Sequence, residues 1–177
     1  MQIIRFLTFG VLGAILCQAQ SAKTDVYAHT IQVLGGVVVD PMAFPQTVAG
    51  FQAFLSASAV KAVTASELTK PNHPEVAARL GFPAFLPERS WWPRGAALAL
   101  LTQNIQSKIG AAVHVRNWWR PSAYNTDPAV GGARNGDHPT ANAVDLDYPS
   151  VAARMAAELY LRSLAKVSPW MQSTKCG

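Results

Sequence analysis

Cysteine is nearly absent from this chain: Cys17 and Cys176 are the only two in 177 residues. Cys17 falls in a stretch read below as a leader, so Cys176 is left without a partner and no intrachain disulfide can form, even in an oxidising compartment. Stability must come from a packed core or a metal. Charge is sparse as well. Fifteen Lys and Arg stand against ten Asp and Glu, with no run of basic residues, so nucleic acid is not indicated. Long apolar runs are limited to one, Phe6 to Leu16, shorter than the roughly 20 residues that cross a bilayer. No second run could serve as a stop-transfer segment, and there is neither an internal repeat nor a low-complexity tract.

What is present at the N-terminus is Met1, a single Arg5, the apolar run, and then small residues through Ala22. This is the pattern of a secretory signal peptide. Cleavage after Ala19 leaves 177 − 19 = 158 residues, about one domain, and lowers the net charge from +5 to +4. Lipidation of Cys17 is the alternative, but Ala14 and Leu16 stand where such sites usually want a leucine and a small residue. The expectation is an exported protein, periplasmic or extracellular, with no stable membrane span once the signal is gone. Its mild basicity suits an anionic cell wall, and equally simple solubility.

Ile31–Leu34 and Val37–Asp40 are β-branched runs joined by Gly35-Gly36, which predicts a tight hairpin. Val48, Phe51, Phe54 and Leu55 predict a helix within Gln46–Val60. Prolines 71, 74, 83, 87 and 93 leave the middle third mostly loop, with one short helix from Pro74 to Leu80 closed by Gly81. Leu98, Leu101, Ile105 and Ile109 predict a helix over 94–109 stopped by Gly110. Ala112–Trp118 and Ala143–Asp147 alternate as strands do, with Val144 and Leu146 on one face of the second and Ala143, Asp145 and Asp147 on the other. Ser150 caps a last helix reaching about Val167. The fold class is α+β, a small antiparallel sheet with flanking helices. Residues 20–60 form an N-terminal hairpin and helix segment and 61–177 the main domain.

The chemistry-bearing residues crowd into one loop-and-strand segment: Arg120, Tyr124, Asn125, Gly131-Gly132-Ala133, Asp137-His138 and Asp145. His138 on a loop and Asp145 on the strand it feeds can turn back to one point. Zinc takes imidazole nitrogen and carboxylate oxygen at about 2.0–2.2 Å, with three protein ligands and a water in catalytic sites. By spacing alone, a loop histidine beside a solvated carboxylate gives the same pattern. Gly131-Gly132 has a conformational role, letting the loop double back. Trp118, Trp119 and Tyr124 either line a groove or pack in the core. Asp137 either orients a ligand through a hydrogen bond or is a solvated loop residue. Asp147 faces solvent or caps a helix.

The order Arg120-Pro-Ser-Ala-Tyr124-Asn125, Val130-Gly-Gly-Ala133, His138, Ala143-Val-Asp145-Leu146 resembles the zinc D-alanyl-D-alanine carboxypeptidase family, with its Y-R-S-x-x-Y-N, V-G-G-A and S-x-H-x-x-G-x-A-x-D-I segments. Val63–Leu68 is similar to that family's phenylalanine-serine-x-x-glutamate-leucine segment, and Leu98–Ile109 to the helix before its first core strand. The resemblance spans about Val60 to Val167. It implies a hedgehog-like metallopeptidase fold and a zinc hydrolase acting on the stem peptides of bacterial peptidoglycan. It also implies His138 and Asp145 as metal ligands and Arg120 as the catalytic cation at substrate or oxyanion. Tyr124 and Asn125 are then assigned to substrate binding.

The departures are Gly136 for the family's serine, Ala141 for its glycine, and the lack of any histidine after His138 to serve as third ligand in the family's H-x-H or H-x-D pair. His29, His73 and His114 precede the motif, and only His114 lies on a strand near Arg120. The chain therefore reads as a truncated or frame-shifted member with its C-terminal strand missing. The alternative activity is an impaired homologue acting only as a peptidoglycan-binding module.

Overall fold

The computed structural model describes residues 26–164. The expected signal peptide, both cysteines and the end of the last helix lie outside them. Among the described residues no helix is long and apolar enough to cross a membrane.

The first element overturns the expected hairpin. Residues 26–33 are helical (α1), and Tyr27, Ile31 and Leu34 are buried at helical spacing. Gly35 stops the helix in the left-handed conformation (φ 79°), and the Gly36 amide donates back to the Ile31 carbonyl at 2.8 Å. The Gly-Gly pair is thus a helix C-terminal cap rather than a hairpin turn. Gly36 is seated under the core as well, since a Cβ there would lie 2.3 Å from a Leu100 methyl.

Of the next four helices, three lie where the sequence predicts them and the one at Ala65–Thr69 was not expected. They are α2 (Val48–Ala57), α3 (Ala65–Thr69), α4 (Pro74–Arg79) and α5 (Trp92–Ile109). Thr47 and Thr64 cap α2 and α3 by accepting the amides of Gly50 and Glu67. α5 begins two residues before the expected start, because Pro93 sits comfortably in a first helical turn, and it ends at Gly110 (φ 66°) as expected. It is the central element. Ten of its 18 residues are buried, and Phe51, Phe54 and Trp92 form an aromatic cluster with Trp118.

Two strands, β1 (His114–Asn117) and β2 (Asp145–Asp147), pair antiparallel with Val115 opposite Leu146 and Asn117 opposite Asp145, and with an irregularity between Val115 and Asn117. Val115 and Asn117 face inward while His114 and Arg116 are exposed, as the alternation predicts. The Val115 amide donates to Glu67 Oε1 at 2.7 Å, so α3 fastens the flank of β1. Asp147 faces solvent in an ion pair with Arg116. Between the strands runs a short helix, α6 (Ser122–Asn125), and a 3-10 turn at His138–Thr140. Ser150 caps α7 (Val151–Leu164) by accepting the Ala153 amide, and α7 packs on α5 with Ala157 buried. The chain is α+β, with helices around a small two-stranded antiparallel sheet.

Candidate functional site

β1 delivers Trp118 and Arg120 to the edge of the core, and the 138–140 turn returns the chain to β2. His138, Asp145 and Arg120 therefore meet at one point. His138 Nε2 lies 3.3 Å from Asp145 Oδ1. The Arg120 guanidinium bonds Asp145 Oδ2 through Nη2, which also lies 3.4 Å from His138 Nε2. The Arg120 side chain is 11 % exposed and that of Asp145 29 %, so their attraction is only partly screened.

The imidazole is oriented from behind. His138 Nδ1 is 2.6 Å from the Trp118 carbonyl, an acceptor only, so Nδ1 carries the proton and the Nε2 edge is turned to Asp145. Burial pushes the Asp145 carboxyl up, but the His138 hydrogen bond and charge, the Arg120 charge and an Asn117 amide together outweigh it and hold the group below the ordinary carboxylate value of 3.8. Asp145 is thus a carboxylate at neutral pH.

Two residues assigned to substrate binding from the motif are turned elsewhere, and Asp137 takes the second of its two expected places. Tyr124 is fully buried in a second apolar cluster with Val76, Ala77 and Phe85, and its hydroxyl accepts the His73 amide at 2.8 Å. None of its surface is open to a substrate in this structure. Asn125 is 1 % exposed, donates to the Ala133 carbonyl and accepts from Arg120 Nη1 at 3.4 Å. It positions the arginine rather than a ligand. Asp137 has an exposed side chain without a hydrogen bond, and only its backbone carbonyl serves, accepting the amides of Thr140 and Asn142. The group that orients His138 is the Trp118 carbonyl, a backbone atom that no side-chain pattern reveals. Trp118 itself is core; Trp119 is half-buried, with Nε1 donating to the Pro139 carbonyl at 3.2 Å.

The glycine pair is conformational, as expected. Gly131 adopts φ 68°, and a Cβ on Gly132 would lie 2.3 Å from Asn125 Oδ1 and 2.4 Å from the Asn125 carbonyl oxygen. Because one of those atoms is backbone, Gly132→Ala is expected to cost about 2 kcal/mol, the usual scale of overpacking. Urea denaturation measures it. A variant within about 0.5 kcal/mol of the parent, the scatter of ordinary surface changes, would mean that the loop yields freely. Ala141, where the resembled pattern has glycine, is held left-handed at φ 58°, ψ 24°. An L-residue there bears about 1 kcal/mol or more of strain.

Two tetrahedral zinc ligands at 2.0–2.2 Å stand about 3.4 Å apart, close to the 3.3 Å between His138 Nε2 and Asp145 Oδ1. As a pair they fit. Among the described residues no third His, Cys, Asp or Glu joins them. His114 is instead placed 3.7 Å from Glu67. Compared with known proteins, the chain matches no family model, no curated protein and no solved structure.

Proposed function

We propose that the chain is a zinc-dependent peptidase of the D-alanyl-D-alanine carboxypeptidase type, acting on bacterial cell-wall stem peptides outside the cytoplasm. The observation that carries the reading is the placement of His138 Nε2 and Asp145 Oδ1 at ligand spacing, with Nδ1 held on the Trp118 carbonyl behind them. The glycine-favouring conformation at Ala141 agrees with the resembled motif at a position where the residues differ. A bound zinc would polarise a peptide carbonyl and lower the pKa of a water to about 7. This chain's own contributions are distinct. The Trp118 carbonyl holds the His138 proton at Nδ1, Asp145 remains ionised, and Asn125 steadies the Arg120 guanidinium, a permanent cation with a fork that fits the terminal carboxylate of a stem peptide or a developing oxyanion.

A second reading has a specific observation behind it. With two of three protein ligands among the described residues, the site can also hold a wall peptide without cleaving it. Equilibrium dialysis against zinc, followed by incubation with a peptide ending in D-Ala-D-Ala, separates the two. One zinc per chain and released D-alanine are expected from the peptidase. Saturable peptide binding without product would favour the binding module. Binding of neither zinc nor peptide would sink both.

A further inference from the structure

The N-terminal helix carries none of the residues assigned to chemistry, yet it reaches the turn that bears His138. We propose that Tyr27 of α1 and Arg94 of α5 are positioning residues for His138. They clamp the far end of its turn and so set where the imidazole points.

The turn is closed by the Asn142 amide donating to the Asp137 carbonyl at 3.0 Å, with His138 inside it. Each of its four carbonyls from 138 to 141 is then taken. His138 O accepts from the amides of Ala141 (3.0 Å) and Arg120 (3.4 Å), Pro139 O from Trp119 Nε1, Thr140 O from Arg94 Nη1, and Ala141 O from Trp118 Nε1. The tryptophans hold the side nearest β1. Arg94 holds the other side, its Nη1 also 3.3 Å from Asn142 Oδ1, the same oxygen that accepts the Tyr27 hydroxyl at 2.7 Å. The guanidinium carbon also lies over two rings, 5.1 Å from the Tyr27 centroid and 5.2 Å from that of Trp91.

Strain gives these outer bonds their leverage. Ala141 is held left-handed, a conformation that alanine leaves when the bonds around it are released. If the Arg94 and Tyr27 contacts go, the turn has a downhill direction in which to relax. His138, three residues before Ala141, moves with it and loses its alignment on the Trp118 carbonyl and on Asp145.

Arg94→Lys keeps a cation near the rings but lacks the planar fork, and Tyr27→Phe removes one hydroxyl. Nitrogen NMR of the His138 ring in metal-free protein is the first readout. The parent should show one Nδ1–H resonance protected from exchange, and both variants faster Nδ1–H exchange. Cobalt titration is the second and rests on the metal-site reading. The expected loss of affinity is about tenfold for Arg94→Lys, the low end for groups that orient a ligand, and about threefold for Tyr27→Phe, one modest hydrogen bond. Arg79→Ala, which breaks an exposed pair with Asp127 far along the chain, is the control for general loosening. Unchanged ring signals in both variants, or equal changes in Arg79→Ala, would overturn the inference. Should the parent take up no cobalt, the metal reading fails while the ring signals still decide this one.

Discussion

Asp145→Ala is expected to cost the protein about 3 kcal/mol, the low end for breaking a buried ion pair, out of a total stability on the order of 5–15 kcal/mol. The low end applies because Asp145 is 29 % exposed. The damage comes from what is left behind. Arg120 Nε is already buried without a partner, and loss of the carboxylate leaves Nη2 facing only the His138 ring, with Nη1 held by Asn125 alone. Arg120→Met in the Asp145→Leu background should recover most of the loss, because replacing both members of such a pair with apolar groups is often neutral. Urea denaturation at neutral pH measures each variant. A single Asp145→Ala chain as stable as the parent would show that the cluster holds nothing together. The pH dependence has a definite sign. Asp145's carboxyl is held below 3.8 in the folded protein, so its contribution is complete above about pH 4 and drains away as pH falls through the folded value. The gap between parent and Asp145→Asn should therefore close as pH falls below about 4.

The convergence of Arg120, His138 and Asp145 was legible because their order along the chain carries it. A loop that leaves one strand and feeds its antiparallel partner must bring its two ends together. Helices α2 and α5 were legible for a similar reason: Leu98, Leu101 and Ile105 share a face whatever lies opposite them. What the pattern could not tell was the direction in which individual side chains turn. Tyr124 and Asn125 sit in the motif beside Arg120, but one revolution of α6 points Tyr124 into Phe85 and leaves Asn125 to brace the arginine. The hairpin was misread because β-branched residues flank a Gly-Gly pair in both a type I′ turn and a left-handed helix cap. Tyr27, one turn before Ile31, was the signal that decides between them. Backbone acceptors such as the Trp118 carbonyl have no sequence signature.

Trp118 joins the fold to the site, and Trp118→Ala is expected to lose about 4 kcal/mol, within the range for truncating a core aromatic. The ring is 1 % exposed, stacks on Phe51 at 5.5 Å, and fills the space over Gly95, where a Cβ would come within 2.7 Å of it. Its removal opens a cavity between α2 and α5 and also strands the Ala141 carbonyl, whose indole donor is 3.2 Å away. Trp118→Phe retains most of the stacking and gives up the indole N–H, so about 1–2 kcal/mol is the expected loss, a hydrogen bond plus a partial void. The two variants test different things. Thermal or urea unfolding should rank alanine well below phenylalanine, and equal losses would mean that the indole hydrogen bond outweighs the packing. The carbonyl that receives the His138 proton belongs to the backbone of residue 118 and survives both changes. Any faster Nδ1–H exchange in Trp118→Phe must then come through the freed Ala141 carbonyl, and with it through the same turn that Arg94 holds from the other side.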